Sequence, residues 1–216
     1  MQLSFVNRSS YSVQFVSKRL IDIFGAAFGI LLLCPLMIFI ALLIRLDSPG
    51  SIFFHQERLG RYGKPFTLWK FRTMVVNAEQ ILHELEPLNE SEGGVLFKMK
   101  HDPRVTRIGK FLRRTSLDEL PQLFNVLLGN MSLVGPRPLQ MRDCNLAIQD
   151  NRDAFVKRLQ LIPGVTGLWQ VSGRSEVGFD HMLHLDTVYS DRWSLWLDFQ
   201  IIWQTIRIVF TGKGAY

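Results

Sequence analysis

Between Ile23 and Ile44 the chain runs for 22 residues without a charged or strongly polar side chain, and this run restricts its folding more than any other feature. As a helix rising 1.5 Å per residue it is about 33 Å long, enough for a hydrocarbon core of about 30 Å. A secretory signal would lead into a small-residue cleavage site. This run leads instead into Ile44-Arg45-Leu46-Asp47-Ser48-Pro49-Gly50, which does not resemble one. Pro35 stands near its middle, where a missing N–H and a bulky ring predict a kink or break around Cys34-Pro35. Both a spanning helix and a re-entrant hairpin satisfy that pattern. Lys18 and Arg19 precede the run and Arg45, Arg58 and Arg61 follow it, so charge sets no direction across a bilayer, and both ends could lie on the cytoplasmic side. The membrane helix is placed at about 20–46. Residues 1–17, polar and irregular, read as a loose N-terminal arm, leaving 18–216 as the working domain.

With 216 residues, 47% of them hydrophobic, the chain can carry one catalytic domain beside its membrane element. A formal charge of +6 suits partners that bear phosphate, whether nucleic acid, anionic lipid or a phosphorylated small molecule. Cys34 and Cys144 are the only cysteines. Cys34 lies inside the apolar run, so no disulfide framework is expected and the working parts are expected to face a reducing compartment.

Two segments rich in β-branched and aromatic residues, Ser51 to Gln56 and Pro65 to Phe71, flank Arg58-Leu59-Gly60-Arg61-Tyr62-Gly63 and predict a hairpin with a longer loop. Residues 75–86 carry a helical pattern ending at Pro87 and a loop with Gly93-Gly94. Near the C-terminus Leu195, Trp196, Phe199, Ile202, Trp203, Ile206 and Phe210 recur at helical spacing, with Asp198, Gln200, Gln204 and Arg207 on other faces. That is an amphipathic helix. Its tryptophans suit a headgroup zone, yet a core-facing helix would show the same stripe.

The residue types that could do chemistry gather between Thr106 and Pro138. Asp118-Glu119 is followed by Pro121, which fits best in the first turn of a helix, so the helix should begin no earlier than about Asp118. A Ser116-x-x-Glu119 capping box is the rival register and would leave Pro121 beyond that turn. In either register the two carboxylates sit at a helix N-terminus near Arg113 and Arg114, which favours their ionised form. Ionised carboxylates can bind Mg²⁺ or attack phosphorus, and they can equally be a plain helix cap. Cations for phosphate stand at Lys70, Arg72, Lys110, Arg113, Arg114, Arg137 and Arg174. Arg137 lies between two prolines that stiffen the backbone presenting it. Pro163-Gly164-Val165-Thr166-Gly167 and Ser172-Gly173-Arg174 offer backbone amides to a phosphate. His181, His184 and Asp186 lack the second ligand cluster of a zinc site. Walker, dinucleotide-fingerprint and serine-elbow motifs are absent.

Four blocks stand in order: Lys70-Phe71-Arg72-Thr73-Met74, Arg113-Arg114-Thr115-Ser116-Leu117-Asp118-Glu119-Leu120-Pro121-Gln122, Met131-Ser132-Leu133-Val134-Gly135-Pro136-Arg137-Pro138 and Pro163-Gly164-Val165-Thr166-Gly167. Together they closely resemble the bacterial sugar transferases, the monotopic phosphoglycosyl transferases, from about Lys18 to Tyr216. The resemblance implies a mostly helical α+β fold with a re-entrant membrane helix broken at Cys34-Pro35, a small β-hairpin and amphipathic interfacial helices. It implies Mg²⁺ as cofactor, with Asp118 as nucleophile and metal ligand and Glu119 beside it as a catalytic residue. Arg113 and Arg137 would bind phosphate, with Lys70, Arg72 and Arg174 in support. The partners implied are a UDP-sugar, polyprenyl phosphate and lipid of the bacterial inner membrane, with the catalytic domain on the cytoplasmic face. Nucleic acid is set aside. The C-terminal stretches look most like hexose-1-phosphate transferases that start exopolysaccharide or O-antigen chains, with galactose or glucose the first expectation and acetamido sugars open. Oligomeric state is not legible, a homo-oligomer included.

Overall fold

A computed structural model describes residues 8–90, 97, 99–141, 143–144, 152–173 and 178–211. Arg174 and the Gly93-Gly94 loop lie outside them. The first element, α1 (Arg8–Asp47), is one helix of 40 residues with Pro35 inside it. It begins within the segment read from sequence as irregular, and it runs through Cys34-Pro35 as helix rather than breaking there. A proline costs a helix one hydrogen bond. Here the turns on both sides are held by tertiary contacts.

Those contacts form one stripe. Lys18, Arg19, Asp22, Gly25, Ala26, Gly29, Ile30, Leu33, Leu36, Met37, Ile40, Ala41, Ile44 and Asp47 are all shielded, the 3.6-residue spacing of a single helix face. Phe24, Phe28, Leu31, Leu32, Phe39, Leu42 and Leu46 point away from the protein. Glycines set the distance of approach: a Cβ on Gly25 would sit 2.7 Å from Leu133 Cδ1. The stripe carries charges at both ends. Lys18 bonds Asp198 at 2.6 Å and the Val134 carbonyl at 3.0 Å. Asp22 accepts from Ser132 Oγ and the Leu133 amide. Asp47 accepts from the Ile108 amide at 3.1 Å. Helix and domain are therefore one body along the whole apolar run.

Strands β1 (Phe53–Leu59) and β2 (Pro65–Phe71) make an antiparallel hairpin in the register Phe54↔Lys70, Gln56↔Leu68, Arg58↔Phe66. The loop is shorter than its sequence suggests, and Arg58 and Leu59 belong to β1. Helix α2 (Ala78–Leu85) precedes a short turn containing Pro87. Helix α3 (Arg107–Thr115) is capped by Thr106, whose hydroxyl accepts from the Gly109 amide, and ends at Ser116 with φ 56°. A 3₁₀ turn, Leu117–Glu119, then leads through Pro121 into α4 (Gln122–Leu128). Arg19 of α1 donates to the Val126 and Leu127 carbonyls at the end of α4, where free carbonyls and the helix dipole both favour a cation.

Strand β3 (Ser132–Val134), helix α5 (Arg152–Arg158), strand β4 (Gly164–Thr166), helix α6 (Leu168–Val171), helix α7 (Phe179–Arg192) and helix α8 (Leu195–Thr211) complete the order. β3 and β4 pair in parallel, Ser132↔Gly164 and Val134↔Thr166, an arrangement the sequence did not announce. Helix α8 turns its aromatic stripe outward: Trp196 is 69% exposed, and Phe199, Trp203 and Ile206 lie on the same open face. Its buried side holds Ile201 and Asp198, the latter also taking bonds from Tyr189 Oη and Trp193 Nε1. The face that a packed core would need to cover is thus left open, while Gln200, Gln204 and Arg207 are exposed as well.

Candidate active site

The left-handed turn at Ser116 ends α3 and swings the chain so that Asp118 and Glu119 sit between the hairpin and α4. Ser116 makes no side-chain cap and α4 proper starts at Gln122. The later of the two registers is the one adopted.

Asp118 is 8% exposed. Its nearest cation is Lys70 Nζ at 3.8 Å, and its carboxylate takes no side-chain hydrogen bond among the described residues. Glu119 is paired differently: one oxygen, Oε1, accepts from Lys70 Nζ at 2.7 Å and from Arg137 Nη1 at 3.0 Å. Burial pushes Asp118 above the ordinary aspartate range, Lys70 pulls it partly back, and the charge of Glu119 pushes it up again. Burial also presses on Glu119, but Lys70 and Arg137 outweigh it and hold that carboxyl well below the usual range. The sequence favoured ionisation of both. Proximity in sequence misleads because Arg114 is exposed, whereas the two strongest cations attach to Glu119.

Arg113 donates through Nε to Thr73 Oγ1 at 3.0 Å and lies within electrostatic reach of Asp118 and Asp102. Arg72 belongs elsewhere: buried, it holds the Ser48 carbonyl and hydroxyl after α1. Of the Pro163–Gly167 amides, that of Gly164 is taken by the protein itself. Gly164 N donates to Pro136 O, and Gly135 N to Thr166 O, at 2.9 Å each, so this segment braces the Pro136-Arg137-Pro138 turn. His181 and His184 are exposed, while Asp186 is buried and bound to Arg158.

Sequence reasoning missed two arginines. Arg58 lies on the same hairpin face as Lys70, and burial with the like charge of Arg137 draws it down to about 10. Arg158 sits at the end of α5, 4% exposed in its side chain. The period-2 alternation of β1 could have placed Arg58 on the face that carries Lys70, had the strand been drawn through Leu59. No local pattern marks Arg158.

Fold and site define a class: a lipid-facing α+β protein with a buried carboxylate pair among cations, suited to phosphate chemistry. Within that class the chain belongs to the bacterial sugar transferases, the family matched over residues 13–212. It is similar to the galactosyl transferase CpsE of Streptococcus agalactiae, 44% identical over 213 residues, which cover 95% of this chain and 46% of the relative. It is similar also to the undecaprenyl-phosphate galactose phosphotransferase of Salmonella typhimurium, 44% identical over 92% of this chain and 41% of that protein. The exopolysaccharide production protein ExoY of Rhizobium meliloti, 39% identical, is matched over 93% of this chain and 88% of its own length. The chain thus spans less than half of the first two.

Proposed function

We propose that this protein transfers a sugar 1-phosphate from a UDP-sugar to undecaprenyl phosphate, releasing UMP, as a membrane step that begins polysaccharide synthesis. The observation that carries this reading is the division of labour in the acid pair. Glu119 holds both cations, which leaves the Asp118 carboxylate without a hydrogen bond 3.8 Å from Lys70. Asp118 attacks the sugar-bearing phosphorus, a carboxylate–phosphorus bond forms, the diphosphate bond breaks, and UMP leaves. The phosphate oxygen of the lipid then attacks the same phosphorus and expels Asp118. Lys70 and Arg137, drawn off Glu119, and Arg113 beside them offset the charge on the diphosphate. Galactose is the first sugar to test, since two relatives are named for it.

The donor set also fits Mg²⁺. Two adjacent carboxylates, one without a bonded partner, match an ion that takes one or two carboxylates and completes its shell with water and substrate phosphate. Among the described residues no three His, Cys, Asp or Glu cluster to hold a metal alone. Asp118, with Glu119 adjoining, would hold the ion, and it would supply positive charge to the diphosphate and favour the ionised Asp118. Full-length protein in detergent is expected to release UMP only when a UDP-sugar and undecaprenyl phosphate are both present. Chelation with EDTA is expected to remove that release and added Mg²⁺ to restore it. UMP release that is indifferent to the lipid would replace a transferase with a hydrolase.

Both ends of α1 are read as lying on the cytoplasmic side of the bacterial inner membrane, with the domain on that face. α1 is long and apolar enough to cross a bilayer. A crossing helix, however, parts its ends by the membrane thickness and gives its middle to lipid all round. α1 instead shows the domain one stripe from Lys18 to Asp47, a length of about 44 Å. The outward tryptophans of α8 then lie at the headgroups. Single cysteines at Val13 and Pro49, in a background without Cys34 and Cys144, are expected to react with an impermeant maleimide from the same side of sealed inverted vesicles. Labelling from opposite sides would establish a spanning helix.

A further inference from the structure

The Pro136-Arg137-Pro138 turn presents Arg137 to Glu119, yet two of its three residues have no N–H with which to anchor it. Its position is set from outside, through its carbonyls. The Pro136 oxygen accepts from Gly164 N at 2.9 Å. The Arg137 oxygen accepts from Arg158 Nη2 at 2.8 Å, and the Pro138 oxygen from Arg58 Nη1 at 3.0 Å. Three consecutive carbonyls are thus held by donors from β4, α5 and β1. Asp186 of α7 fixes Arg158 in turn, accepting from Nε at 2.9 Å and lying 2.7 Å from Nη2.

Stability alone does not account for this arrangement. The Arg158–Asp186 pair is 4% and 2% exposed in its side chains, and desolvating two charges offsets most of what their attraction returns, so an apolar pair of the same volume would hold the fold as well. Arg58 leaves Nε buried without a partner, another destabilising feature. What an apolar pair could not do is deliver a guanidinium N–H to a carbonyl in the interior. We infer that Arg58 and the Arg158–Asp186 pair are positioning residues, which fix the backbone of Arg137 so that its guanidinium, at the end of a side chain 31% exposed, is set to meet the donor diphosphate. This rests on the transferase reading above. The clamp joins β1, α5 and α7 to one side chain in the site, and a shift of about 1 Å in that side chain is enough to cost a large factor in rate.

A double-mutant cycle tests it, using full-length protein in detergent, UDP-galactose or whichever UDP-sugar supports turnover, and undecaprenyl phosphate. Arg158→Lys keeps the charge but cannot serve Asp186 and the Arg137 carbonyl together in the same geometry. It is expected to lower kcat/KM about tenfold while melting within a few degrees of wild type. Arg58→Lys should behave alike and serves in its place should Arg158→Lys fail to fold. In an Arg137→Ala background either substitution is expected to cost less than about twofold, since the residue it positions is gone. An equal cost with and without Arg137 overturns the proposal and makes the clamp a general support of the fold, as does unchanged kcat/KM in both lysine variants. Wild-type protein that turns over no UDP-sugar overturns the transferase reading and this one with it, an outcome distinct from an active enzyme with an additive cycle.

Discussion

Asp118→Asn is expected to lower UMP release by about a thousandfold or more, because an amide offers no anionic oxygen to phosphorus and the covalent step is lost with it. Radiolabel from the sugar phosphate, retained on wild-type protein in the absence of lipid, should not appear on the variant. The structure adds a condition that separates chemistry from folding. Burial disfavours the Asp118 charge, and its side chain has no hydrogen bond to lose, so the amide should leave the melting temperature unchanged or raise it. Glu119→Gln is expected to differ on both counts. Activity should fall about ten- to a hundredfold, since Lys70 and Arg137 lose the negative charge they share. Stability should fall too, because two half-buried cations lose the charge of their partner. An Asp118→Asn variant with a tenth of wild-type activity would remove Asp118 from the reaction.

Gly164→Ala is expected to destabilise the fold strongly for the addition of one methyl group. A Cβ there would lie 2.0 Å from Gly135 N and 2.4 Å from Thr166 O, both backbone atoms of the β3–β4 crossing. Neither can yield without separating the strands. Overpacking of this kind costs about 3 kcal/mol or more, a fall of roughly 10 °C in a domain of this size. Thermal unfolding in detergent is the measurement. Activity of the folded fraction should fall as well, since the same crossing braces the Pro136-Arg137-Pro138 turn. A melting temperature within two degrees of wild type would show that β3 and β4 do not approach as described. Gly63→Ala is the control: nothing lies within 4 Å of its Cβ, and only its φ of 72° resists the change.

Of the fold, the elements set by local periodicity were legible: the apolar helix, the hairpin, the helix before Pro87 and the amphipathic C-terminal helix. Their ends were less so. β1 continues through Leu59, where turn-forming residues suggested a loop, because the strand bonds across to the segment after Pro138 as well as to β2, with Leu59 N donating to Leu139 O. Which face of α8 would meet the core was open until Asp198, on the face opposite the aromatic stripe, was found paired with Lys18 180 residues away. In the site, Asp118, Glu119, Lys70, Arg113 and Arg137 do converge. Arg72 does not, since it is buried against the turn after α1, where its Nη2 bonds Ser48.

What the sequence by itself determined was chemistry and periodicity: a lipid-soluble helix, an acid pair at a helix start, a stiffened arginine turn, and motifs in an order that names the family. Tertiary structure alone decided which cation serves which carboxylate, which glycines are fillers and which are contacts, and that the apolar helix is welded to the domain along one face. The physical reason is range. Hydrophobic period and turn chemistry act within a few residues and are written locally. The charge state of Asp118, the grip of Arg158 on Arg137 and the burial of Asp198 depend on desolvation and hydrogen bonds between segments 20 to 180 residues apart, and those exist only once the chain has closed on itself.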